Sequence, residues 1–375
     1  MSTEAFAPGE VLVFKLGSSL LTDPGKGLAV THLHSWVDQI AQLHGRGSRI
    51  VIVSSGSVVE GMNRLGLSER PESIHQLQAA ASVGQSSLVQ AWESRFHTYG
   101  ILTGQVLLTH ADLRSRERYL NARSTLTTLL SMGVIPIVNE NDTVVTDEIR
   151  FGDNDTLAAL VANLISASTL VLMTDQMGLY TADPRRSTNS ELVTSARASD
   201  ASLDAMVGMG SALGRGGMIT KLAAARMAAR SGANTLIVSG REDNVIRRIA
   251  DGEPCGTLLT ADQPLLVSRK QWLASLPARG GIVVDAGAAR VLRSQGVSLL
   301  PVGAIRISGD FKRGDMVSCV NEQGEEVARG LSNYAAEEAE KLCGHESYEI
   351  ERVLDYKGDE ELVHRDNMVI NTSVL

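Results

Sequence analysis

VIPIVNENDTVVTDEIRFGDNDTLAALVANLISASTLVLMTD, residues 134–175, holds the fold in miniature. The apolar run at 134–140 predicts a strand, the spacing at 155–167 a helix, and TLVLMTD at 169–175 another strand. A strand, a helical crossover and a second strand imply parallel pairing in one sheet. Between the first strand and the helix lies NENDTVVTDEIRFGDND (139–155), with six carboxylates and three asparagines in seventeen residues. A turn between elements does not need so much polarity.

The same alternation runs outward from this unit. Strands are predicted at 11–16, 49–55, 105–109 and 234–240, and helices at 29–45, 74–96, 116–131 and 217–232. The result is an α/β chain with a mainly parallel sheet and helices on both faces. Its strands end in KLGSS, SSG, NEND and TDQMG, at the carboxyl edge where such sheets bind ligands. Around 262–280 the period is lost, and Pro264, Pro277 and Gly280–Gly281 suggest a connection. GIVVD, AIRIS, MVSCV and EEVARG then read as short strands broken by turns. The expected domains are residues 1–262, a linker at 263–279, a small β-rich domain at 280–360 and a tail at 361–375.

Composition narrows the function classes. A chain of 375 residues suggests two domains, and 4% aromatics leave Ala, Val, Leu and Ile to build the core. The net charge of −8 disfavours nonspecific binding to nucleic acid or an anionic membrane. Residues 280–375 alone carry ten Lys/Arg against seventeen Asp/Glu, a net of −7, which argues against an RNA-binding role for the small domain. Cys255, Cys319 and Cys343 are isolated and lack metal-ligand spacing, so they read as reduced thiols. MSTEAFAPGE has no apolar signal core, and no apolar run nears the ~18–20 residues of a membrane span. A cytoplasmic location without membrane contact is expected.

Two features point to phosphate, although GxxxxGK[ST] and a GxGxxG after the first strand are both absent. Lys15 lies inside a strand expected to be central, a costly place for an ammonium group unless it meets an anion. GMGSALGRGGMITK (208–221) is a glycine-rich turn opening a helix, whose free N–H groups attract anions. Lys221 lies about one turn inside that helix and can reach back to the same ligand.

With VFKLGSS (13–19), IVIVSSG (50–56), PIVNEND (136–142), FGDND (151–155), LMTDQMGLYTADP (172–184) and GRGGMITK (214–221) in this order, the chain resembles the amino acid kinase family. NEND followed by GDND is the most specific pair. The pattern is most similar to members that phosphorylate the side-chain carboxylate of L-glutamate with ATP, opening proline biosynthesis. That resemblance implies an α/β/α sandwich, a PUA domain at 280–360, Mg2+ as cofactor, feedback inhibition by proline, and a homo-oligomer, dimer or tetramer. By position it implies that Lys15 and Lys221 bind the transferring phosphoryl group and Asp155 holds the two lysines. Ser55, Asp142 and Asn154 would bind glutamate. Lys15, Thr174, Asp175, Arg215, Gly216, Gly217, Met218, Ile219, Thr220 and Lys221 would line the nucleotide site. No protein ligand for Mg2+ is implied. Arg215 stands where similar enzymes often carry a small or hydroxyl residue, and the sequence leaves open whether it meets phosphate or solvent.

On this reading the acidic segment recognises the acceptor, not the nucleotide. Asp142 would accept from the α-ammonium group of glutamate, and Asn154 would serve its α-carboxylate. Glu140, Asp147 and Glu148 read as a solvated loop. Family members acting on aspartate or N-acetylglutamate would share the lysines, but an acetylated substrate has no ammonium group for Asp142.

Overall fold

Val11–Leu16 (β1) is buried at every position and lies well inside an eight-stranded sheet. The other strands are Arg49–Val53 (β2), Thr103–Leu108 (β3), Ile135–Glu140 (β4), Thr169–Thr174 (β5), Ser195–Arg197 (β6), Asn234–Ser239 (β7) and Thr257–Thr260 (β8). Their spatial order is β3-β4-β2-β1-β5-β7-β8-β6. All neighbours run parallel except β7 and β8. The expected parallel sheet is therefore present, and β6 and β8, too short to show a period, extend it. The structure is a computed structural model, and residues 5–23, 27–145, 154–184, 189–207, 217–264, 270, 273–274 and 276–371 are described.

Two groups of helices pack in this unit. Leu12, Phe14 and Leu16 of β1 join one core cluster with Leu33, Trp36 and Ile40 of Val30–Gly45 (α1). The cluster also takes in Leu88, Trp92 and Phe96 of Ile74–His97 (α3). Side chains alternate along a strand, so Val11, Val13 and Lys15 point the other way. There Asp155–Leu164 (α5) packs on β1 and on Met218–Ala229 (α6). Both helices bury small side chains: Ala158, Ala159 and Ala162 on α5, Ala224, Ala225 and Ala228 on α6. The period of two thus aims Lys15 at the start of α5.

A short helix that the sequence reading missed, Ser57–Arg64 (α2), follows β2. Gly56 makes the turn between them at φ +96°, a conformation that favours glycine. The helix then lies hard against α3. A Cβ on Gly84 would stand 1.9 Å from the Ser57 carbonyl oxygen, so only glycine allows this approach.

The chain divides into two compact units, Met1–Leu113 with Arg123–Leu265, and Arg114–Ala122 with Leu266–Leu375. The second holds a five-stranded sheet of Gly280–Val284 (β9), Ala304–Gly309 (β10), Met316–Val320 (β11), Glu326–Leu331 (β12) and Met368–Ile370 (β13), ordered β10-β9-β11-β12-β13. The first residues of Arg116–Ser131 (α4) belong to this unit: Leu120 clusters with Leu273, Met316 and Leu331, and Arg116 pairs with Asp315 at 3.1 Å. Asp285 caps Ala286–Gln295 (α7) by accepting from the Ala288 amide at 2.6 Å. Residues 361–371, read from sequence as tail, are built in: Leu362 and Val363 are fully buried and β13 pairs with β12. Burial pushes the Cys319 thiol up to about 12, which makes it inert. Among the described residues, no helix is long and apolar enough to cross a membrane.

Candidate active site

Lys15 lies opposite Val53 on one side and Leu172 on the other, with almost no access to water. Its cost is met by Asp155, the first residue of α5, whose Oδ1 stands 2.6 Å from Lys15 Nζ. The other oxygen, Oδ2, accepts from Lys221 Nζ at 2.9 Å. Lys221 comes from the first turn of α6, so one fully buried carboxylate clamps two ammonium groups from two elements. The Thr220 hydroxyl lies 3.1 Å from the same Oδ2 and 2.8 Å from the Gly217 carbonyl oxygen, with one proton to give to either. Two cations on one anion leave the cluster with one net positive charge, held rigid at the carboxyl edge of the sheet.

One residue earlier the chemistry changes. Asn154 is fully buried and donates both protons of its Nδ2, to the Ser54 carbonyl oxygen at 2.8 Å and to Asn139 Oδ1 at 2.7 Å. Asn139 Oδ1 also accepts from the Glu140 amide at 2.9 Å, and Asn139 Nδ2 donates to Gln85 Oε1 at 2.7 Å. Close in the chain, Asp142 is buried and accepts from the Ser57 hydroxyl at 3.2 Å. Gln78 Nε2 donates to the carbonyl oxygens of Asp142 and Thr143 at 3.1 and 3.2 Å. Ser55 is buried beside Ser54 at the end of β2.

The residues singled out from sequence fall into these two groups and a third. Thr174 ends β5, and its hydroxyl donates to Asp175 Oδ1 at 3.2 Å. Gly217, Met218, Ile219, Thr220 and Lys221 open α6. Arg215 and Gly216 lie outside the described residues, as do Asp147, Glu148 and Asp153. Glu140 is not part of a solvated loop. It ends β4, is buried, and its Oε1 lies 3.3 Å from His110 Nδ1. The strand ends where the sequence places it, and its last residue is held in the sheet by pairing with Leu108 of β3.

Sequence reasoning missed Gln78, Gln85, Asn139 and Ser57. A signal for the glutamines was present: they are seven residues apart on one helix, next to the buried Leu77 and Gly84. Polar side chains that share a helical face beside buried positions need partners. Asn139 stood in the NEND motif, but its role depends on partners distant in sequence.

The arrangement offers two capabilities. The lysine clamp can neutralise negative charge arriving at the sheet edge. The wall of Asp142, Asn154 and Asn139 can grip a small polar molecule by hydrogen bonds. The amino acid kinase family matches residues 10–239, and the PUA domain matches residues 280–354. The glutamate 5-kinase of Chromohalobacter salexigens is 56% identical over 98% of both chains. That of Hahella chejuensis is 58% identical over 96% of this chain and 93% of its own. That of Pseudomonas savastanoi pv. phaseolicola is 57% identical over 96% of this chain and 98% of its own. The family match takes in the strand of Lys15, the acidic segment and the helix of Lys221 together, and on that footing the chain belongs to the amino acid kinase family.

Proposed function

We infer that the protein transfers the γ-phosphoryl group of ATP to the side-chain carboxylate of L-glutamate, giving L-glutamate 5-phosphate. One observation carries the reading: Asp155 grips Lys15 and Lys221 at 2.6 and 2.9 Å, one residue beyond a buried wall suited to an amino acid. The names of the relatives support the choice of acceptor.

The chemistry follows from charge. A glutamate side chain has a reference pKa of about 4.3, so the nucleophile is already ionised at neutral pH and needs no general base. The obstacle is repulsion between a carboxylate and a polyanionic nucleotide. Lys15 and Lys221 meet it by placing fixed positive charge where the phosphoryl group moves, and Asp155 keeps them from splaying apart. Replacing either lysine by alanine should add ~2–4 kcal/mol to the barrier, by analogy with removing one preorganised donor. The N–H groups at the start of α6, with Thr174, Asp175, Arg215 and Gly216, are assigned to the nucleotide. Ser55, Asp142 and Asn154 are assigned to glutamate. Among the described residues, no group of three or more His, Cys, Asp or Glu is arranged to hold a metal ion. Mg2+ is assigned to the nucleotide phosphates and water, its habit in nucleotide sites. Proline carries the same α-carboxylate and a cationic amine, so it would compete at the acceptor wall.

A coupled assay with ATP and glutamate, with hydroxamate trapping of the acyl phosphate, tests the reading. Glutamate should give product where aspartate and N-acetylglutamate do not, and added proline should slow the reaction at limiting glutamate. Product formed only from a rival acceptor would overturn the assignment.

A further inference from the structure

The acceptor wall is backed by helix α3. Gln78 of that helix donates to the carbonyl oxygens of Asp142 and Thr143, and Gln85, two turns further on, accepts from Asn139 Nδ2. Gly84, next to Gln85, lies against the Ser57 carbonyl, and the Ser57 hydroxyl donates to Asp142. Gln85 thus stands between the two arms of the wall, Asn139 with Asn154 on one side and Ser57 with Asp142 on the other.

Two backbone groups fix the polarity of the amides here. The Ser54 carbonyl can only accept, so Asn154 turns Nδ2 to it, and the second proton of that group goes to Asn139 Oδ1. The Glu140 amide can only donate, and it meets the same Asn139 Oδ1. Asn139 Nδ2 is therefore turned to Gln85, which answers with Oε1. The chain then ends on Gln85 Nε2, a donor that is buried and has no hydrogen-bond partner among the described residues. At its other end stands Asn154 Oδ1, a buried acceptor in the same state. Buried amide atoms are seldom left so.

We propose that Gln85 binds the acceptor molecule directly, its Nε2 donating to the α-carboxylate of glutamate. The inference rests on the acceptor being an α-amino acid, as argued above. Such a molecule carries a cationic donor and an anionic acceptor on one carbon. The two ends of the amide chain are the complementary pair, Asn154 Oδ1 for the ammonium group and Gln85 Nε2 for the carboxylate. Asn154 cannot serve the carboxylate, the role expected from sequence, because both its protons are spent. A hydrogen bond from an amide to an ionised oxygen is among the stronger kinds, so the contact selects for a charged α-carboxylate.

The test is steady-state kinetics of the full-length enzyme carrying Gln85→Glu. The new side chain still accepts from Asn139 but sets a carboxylate oxygen where Nε2 stood. Isoglutamine, which is glutamate with its α-carboxylate turned into a carboxamide, serves as a competitor of glutamate. KM for glutamate should rise about tenfold or more, with KM for ATP within about twofold of wild type. The isoglutamine inhibition constant should stay within about threefold, because a carboxamide can donate to the new acceptor. Equal weakening of glutamate and isoglutamine would mean a general packing role and would overturn the proposal. So would an unchanged KM for glutamate. A wild-type enzyme inactive on glutamate would bring down the acceptor reading itself, a distinct result. If thermal melting shows that Gln85→Glu does not fold, Gln85→Met decides. It removes the donor without adding charge, so glutamate should weaken about tenfold and isoglutamine, bound through a neutral group, about threefold or less. An equal loss for the two in the folded variant would overturn the proposal.

Discussion

Asn154 and Asp155 are neighbours in the chain, yet they close two networks of opposite kind. Asp155 gathers charge: two buried ammonium groups meet on its two oxygens. Asn154 gathers none, and its partners are a backbone carbonyl and a chain of neutral amides. The charged half is held by attraction that the desolvated surroundings strengthen, and it tolerates no missing partner. The neutral half is held by direction, since each amide is oriented by the one before it and the first by the backbone. On our reading this is a division of work. The charged half lowers the barrier to transfer, and the neutral half with Asp142 selects what receives the phosphoryl group.

Breaking the charged half should have the largest effect. Asp155→Asn leaves two buried cations without their anion, so stability should fall by ~3–5 kcal/mol in urea unfolding, and turnover should fall more than about a hundredfold. A folded, active Asp155→Asn would remove the basis of the comparison. Next comes the approach of α3 to α2. Gly84→Ala forces a methyl group against the Ser57 carbonyl oxygen, at 1.9 Å before any movement. We expect a loss of about 1–3 kcal/mol, seen as a melting temperature lower by several degrees. KM for glutamate should rise with it, because α3 carries Gln78 and Gln85. The smallest effect belongs to Ser57→Ala, which removes one hydrogen bond to Asp142. It should raise KM for glutamate roughly two- to tenfold, with little change for ATP. A larger change for ATP would put Asp142 on the wrong side of the site.

The two halves also differ in how far the sequence reveals them. Lys15 was legible because an ammonium group inside a central strand demands an anion, and the alternation of β1 already says which face it occupies. The parallel sheet was legible for the same reason: long apolar runs separated by helical spacing leave few other architectures. The amide chain was not. Asn139 and Gln85 lie 54 positions apart, and neither needs the other by charge. Gly84, next to Gln85, lets α3 lie close against α2, and no local pattern announces which residue Gln85 then meets. Glu140 was misread for a related reason. Its polarity suggested solvent, while backbone pairing of β4 with β3 draws it into the sheet beside His110. In the second unit, Met368–Ile370 of the expected tail form a strand, too short for any period to show.

The division of work is tested most directly by measuring KM for glutamate and for ATP in Asp142→Asn, which keeps shape and removes one negative charge. Our account predicts that KM for glutamate rises about 10- to 100-fold while KM for ATP stays within about twofold. A rise for ATP with glutamate unaffected would contradict it.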